Sequence, residues 1–117
     1  MKRDMDLVRE ILLKVEATAP DVLGATVEID RRSKAEVCGH VELLVDAGLV
    51  DARIAARQQH FVIFRMTWAG HEFLDSARNE SIWRRAKTLA IEKGCGLSML
   101  ALQLALTELI KRGISGV

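Results

Sequence analysis

Ser33 and Gly48 bracket the most constrained stretch of this chain. Ser33 followed by Glu36 makes a capping box, in which the hydroxyl accepts the backbone N–H of Glu36 and the carboxylate accepts that of Ser33. Val37, Val41 and Leu44 recur at helical spacing, and Gly48 supplies the left-handed position that lets Leu49 fold back onto Leu44. The signals predict a helix over Lys34–Ala47 with those three aliphatic residues facing inward. Beyond it the period changes. Val50, Ala52 and Ile54 alternate with Asp51 and Arg53, and after the polar tip Ala56–His60 the run Phe61–Met66 is rich in strand formers, so a β-hairpin is expected.

The flanks complete an order. Met5, Val8, Leu12 and Val15, joined by Leu7 and Ile11, make an amphipathic helix between Asp4 and Ala17, and Pro20 with Asp21 closes that segment. From Ala25 to Asp30, Val27 and Ile29 alternate with polar neighbours, which predicts a short half-buried strand. Thr67 is placed to cap a helix carrying Phe73, Leu74 and Ala77. A further helix carries Ile82, Ala86 and Leu89 and ends at Gly94, and the last runs from Ser98 to Gly113. The expected fold is therefore α+β and mostly helical: a winged helix (helix, short strand, helix, β-hairpin wing) with C-terminal helices. Its winged-helix domain covers 1–79 and a helical extension 80–117.

The 117 residues suit an ordinary domain that needs neither disulfides nor a structural metal, since half of them are apolar. Cys38 and Cys95 have no CxxC or Cys/His spacing and read as reduced, cytosolic and unliganded. The N-terminus is charged where a secretion signal would be apolar, and the apolar stretch Leu97–Ile110 is too short to span a bilayer. Seventeen basic residues stand against sixteen acidic ones, without the basic excess usual in proteins that grip nucleic acid by its phosphates.

The opening MKRDMDLVREILLKVE, the segment HVELLVDAGLV from His40 to Val50, and TWAGHEFLDSAR from Thr67 to Arg78 with Ile82-Trp83 resemble a family of small phage, prophage and bacterial proteins described as a domain of unknown function. The resemblance spans nearly the whole chain. It implies a winged-helix-like fold and a mobile-element setting, and no activity. Such proteins tend to carry Gly-Tyr just before the capping serine, where this chain has Arg31-Arg32. The stretch between Pro20 and Ser33 is also too short for an extra helix plus a strand, so the helix-turn-helix is abridged.

Candidate DNA contacts are Arg31, Arg32 and Lys34 before and at the start of the presented helix, with Arg53 and Arg57 on the wing. The helix's expected outward face, with Ala35, Gly39, Glu42 and Asp46 and Glu36 at one edge, is poor in base-reading side chains. Glu36, Glu42 and Asp46 instead suggest an acidic face for a protein partner. His40 is expected on that helix's flank and His60 on the wing. Arg84, Arg85 and Lys87 read as a solvated helix face.

No enzyme is expected. After His71-Glu72, the position where a zincin needs its second histidine is Asp75. There is no phosphate-cradling glycine loop and no nucleophile elbow, and Cys38 and Cys95 lack an activating neighbour. No metal, cofactor or small-molecule substrate is called for. Trp68 and Trp83 read as core or interface anchors.

Leu97, Met99, Leu100, Leu102, Leu104, Leu106, Leu109 and Ile110 cover most of the last helix, leaving Gln103, Thr107 and Lys111 as a thin polar strip. A helix apolar nearly all round must be covered on more than one side, so a homodimer held by Leu97, Leu100, Leu104 and Ile110 is expected. The leading expectation is a cytoplasmic homodimeric winged-helix DNA-binding protein, a phage- or prophage-type transcriptional regulator. The alternative is a winged-helix protein–protein interaction module without DNA binding, such as a phage protein that binds a host protein.

Overall fold

The computed structural model describes residues 2–18, 24–55, 60–94 and 96–115. Five helices and one antiparallel hairpin follow in the order α1 (Met5–Ala17), α2 (Lys34–Asp46), β1 (Val50–Ala55), β2 (His60–Met66), α3 (Trp68–Ala77), α4 (Glu80–Glu92) and α5 (Met99–Ser115). The protein is thus α+β and mostly helical. Contacts divide it into two compact units, Met1–Glu72 and Phe73–Val117. Among the described residues no helix is long and apolar enough to cross a membrane.

The first unit is built around α2. Both halves of the capping box form, and the helix ends as its sequence predicts: Leu49 N–H donates to the Leu44 carbonyl at 2.9 Å and Gly48 N–H to that of Val45 at 3.0 Å, with Gly48 at φ +75°. Val37, Val41 and Leu44 are buried, as expected. Burial extends further, to Cys38, Gly39 and His40, because α1 packs against α2 and the hairpin does so too. Gly39, expected on the outward face, is therefore inside, and only Lys34, Ala35 and Asp46 are fully exposed along the helix.

α1 begins at Asp4, whose carboxylate accepts the N–H groups of Asp6 and Leu7, and it buries Met5, Leu7, Val8, Ile11 and Leu12. The strand expected at Ala25–Asp30 shrinks to one bridge, Ala25 with Ile63. Val27 and Ile29 are still buried and alternate with exposed Thr26 and Glu28. The sheet proper has two strands, because the hydrogen bonds end with that bridge and Asp30-Arg31 turns the chain toward α2.

The hairpin carries a bulge. Asp51 pairs with Arg65 and Ala52 with Ile63, so Phe64 is an extra residue in β2. Regular alternation from buried Phe61 and Ile63 would point Met66 outward. The added residue returns Met66 to the core and leaves both Phe64 and Arg65 exposed.

Thr67 then receives the N–H of Gly70 and donates its hydroxyl proton to the Gly48 carbonyl, tying the start of α3 to the end of α2. Gly70 sits directly on the Leu49 carbonyl and Met66, a closeness only a residue without Cβ permits.

In the second unit, α4 is capped by Asn79 and packs on α5, and the rings of Phe73 and Trp83 meet edge to face at 6.1 Å. α5 starts after Ser98, whose hydroxyl accepts the Ala101 N–H, and runs through Gly113 to Ser115. It passes the expected stop because Gly113 does not take a left-handed conformation.

Candidate nucleic-acid interface

The start of α2 and the hairpin meet through two side chains. Lys34 Nζ lies 3.5 Å from His60 Nδ1, so the first turn of the helix touches the first residue of β2. Arg31, Lys34 and His60 line one groove of about 440 Å³, together with Thr26, Glu28 and Phe61 among others. His60 and Arg53 line the next, of about 190 Å³, with Phe61, Val62 and Phe64. His60 is common to both, so the groove of Arg31 and Lys34, which Glu28 and Asp30 also line, adjoins that of Arg53. Arg57 lies outside the described residues.

The two neighbouring arginines differ. Arg31 is exposed and is held at φ +67°, a left-handed conformation unusual for a side chain with a Cβ. Arg32 is committed to the protein: it reaches the Asp4 carboxylate at 2.6 Å and Glu36 at 3.0 Å. Those hydrogen bonds, first to Asp4 and then to Glu36, raise its pKa further. Of the expected phosphate contacts, Arg31, Lys34 and Arg53 present free surface and Arg32 acts as an internal clamp.

The acidic face is similarly thinned. Glu36 is spent on the capping box and on Arg32, Glu42 is half-buried, and Asp46 alone is fully exposed. His40 is not a flank residue. It is buried, its Nε2 accepts the Asp4 N–H at 2.9 Å, and its Nδ1 lies 2.8 Å from the Glu36 carbonyl. An N–H facing Nε2 requires a lone pair there, so the ring proton sits on Nδ1 and is donated to Glu36. No sequence pattern reveals this, because Asp4 is 36 residues away.

Cys38 is buried with its Sγ 3.9 Å from the His60 carbonyl. Burial first, and the Glu42 charge second, push its thiol pKa up, which opposes thiolate chemistry. Cys95 lies outside the described residues. His71 and Glu72 are exposed, and Asp75 pairs with Arg78 at 2.9 Å. Trp83 is in the core, whereas Trp68 is 80% exposed, so the anchor expected there has no socket among the described residues.

On α5 the apolar residues separate into two faces. Ala101, Leu102, Ala105, Leu106 and Leu109 are buried. Leu100 and Leu104 stand 66% and 63% exposed, and Ile110, with Leu97 just before the helix, is also exposed. Glu108 bridges Lys93, the residue that caps the end of α4, and Arg112, and those cations, Lys93 foremost, hold its carboxyl below the usual range.

The family described as Hypothetical protein (DUF2513) matches residues 2–96. The chain is also similar to a protein described as "Uncharacterized protein" from Haemophilus influenzae, 34% identical over 107 residues, covering 88% of this chain and 90% of the relative. No solved structure matches.

Proposed function

The chain belongs to the family described as Hypothetical protein (DUF2513), and we propose that it is a winged-helix, homodimeric protein that grips double-stranded DNA by its phosphates. The phage or prophage setting rests on the resemblance of its motifs, and the regulator role on the common use of winged-helix folds. The observation that carries the reading is the Lys34–His60 contact, which joins the helix start, with Arg31 and Lys34, to the hairpin that carries Arg53. Backbone phosphates are spaced repetitively, so cations on adjoining grooves suit them. The burial of α2 and the lack of Asn, Gln or Arg on its outer face argue for contact that positions rather than reads sequence.

The second chain would cover the outer face of α5. Leu97, Leu100, Leu104 and Ile110 leave roughly 400 Å² of apolar surface per protomer, the size of patch that often serves an interaction. Two such faces approach the lower end of a stable interface, about 1,000 Å² in total. The alternative, a protein-interaction module using Glu36, Glu42 and Asp46, is weakened by the internal engagement of Glu36.

Fluorescence anisotropy with a random-sequence duplex, titrated with salt, tests the DNA reading. Three phosphate contacts per protomer give a log–log slope of about −3 per protomer. Arg31→Ala, Lys34→Ala and Arg53→Ala should each weaken binding on every sequence and flatten that slope. Absence of binding at low salt eliminates the reading. For the dimer, light scattering should give one chain mass for folded Leu104→Glu and two for the wild type. A wild type that scatters as a single chain removes the dimer.

A further inference from the structure

The exposed side of α3 near its start is a small surface with a defined charge preference. Trp68 is 80% exposed, whereas the protein's other tryptophan, Trp83, is 2% exposed. His71 and Glu72 follow at i+3 and i+4, on the same side of the helix, and both are exposed. Among the described residues Glu72 has no ion pair and the Trp68 indole N–H no acceptor. α3 carries two carboxylates and neither lysine nor arginine, and the second carboxylate, Asp75, is already engaged by Arg78. Glu72 is thus the free charge beside the indole.

We infer that Trp68 and Glu72 form a docking point for another protein, which presents an arginine or lysine from an exposed segment. The face of an indole attracts cations, and a carboxylate one turn away lets the same cation stack and form an ion pair together. An acidic partner would be repelled by Glu72, and a purely apolar one would strip water from that carboxylate without replacing its hydrogen bonds. A cationic partner meets both groups at once. Exposed tryptophans of this kind carry a disproportionate share of binding energy at interfaces. The site lies on a different helix from the proposed DNA strip and does not depend on it.

A displayed library of random twelve-residue peptides, selected on the full chain and counter-selected on Trp68→Ser, tests this directly. Sequences with arginine or lysine at a fixed position should be enriched. The best peptide, synthesised and titrated, should lose about tenfold in affinity with Trp68→Ser and several-fold with Glu72→Gln. Both substitutions are at exposed positions, and an unchanged melting curve verifies that each variant is folded. Enrichment of acidic or purely apolar peptides, enrichment that survives Trp68→Ser, or no enrichment at all would each overturn the proposal.

Discussion

The backbone N–H of Asp4 donates to Nε2 of His40 at 2.9 Å, so the residue that caps α1 is held from the middle of α2. Arg32 reinforces the same junction, binding the Asp4 carboxylate on one side and Glu36 on the other. Two helices far apart in sequence are thereby fixed by polar groups as well as by their aliphatic faces.

His40→Ala should cost about 3 kcal/mol, combining a cavity with the Asp4 N–H left without its acceptor; the Glu36 carbonyl keeps its helical partner, the His40 backbone N–H. Urea unfolding measures it. His40→Phe restores the volume but neither hydrogen bond, and should recover less than half of the loss. Full recovery would show that His40 serves packing alone.

The Asp4 carboxyl has its pKa lowered. Burial alone would raise it, but the Arg32 hydrogen bond and charge and the N–H groups of Leu7 and Asp6 outweigh that. A depressed carboxyl favours the folded state when ionised, so its stabilisation is complete above about pH 4 and fades as pH falls through the folded-state value. Asp4→Asn keeps a capping oxygen and removes the charge. It should cost under about 1 kcal/mol at neutral pH, given the solvent exposure of the pair. That difference should disappear in thermal melts at acid pH.

Gly70 and Gly113 should respond oppositely to the same change. Gly70→Ala drives a methyl group into the Leu49 carbonyl and Met66, a loss of about 2 kcal/mol or more. Gly113→Ala adds a methyl group in open space within a helix and should gain about 0.5 kcal/mol. Melting temperatures of the two variants measure both effects.

Arg31→Gly separates stability from binding. Relief of the left-handed conformation should stabilise the fold by about 1 kcal/mol. Loss of the guanidinium should weaken duplex binding in the same variant. A destabilised Arg31→Gly would mean that the side chain is held by contacts that outweigh the backbone strain.

The parts legible in the sequence are those decided by near neighbours. The ends of α2 depend on Ser33, Glu36 and Gly48, all local, and the inward turn of Val37, Val41 and Leu44 follows from helical period. What was hidden depends on distant partners. His40 looks like an ordinary helix residue until Asp4 is brought beside it, and Arg32 looks like a free cation until Asp4 and Glu36 take it. Ala25–Asp30 alternates like a strand, yet only Ala25 finds a partner on β2. Trp68 reads as an anchor because of its size, yet none of the described residues receives it. On α5 the sequence indicates an excess of apolar surface, and the packing of α4 decides which half stays uncovered.

The additional residue at Phe64 also acts as a lock on sliding. Were β2 to shift one step along β1, Met66 would be expelled into water and Arg65 driven inside without a counter-charge. Neighbouring alignments of the hairpin are therefore closed to it, and the spacing between Arg53 and the start of α2 keeps a single value.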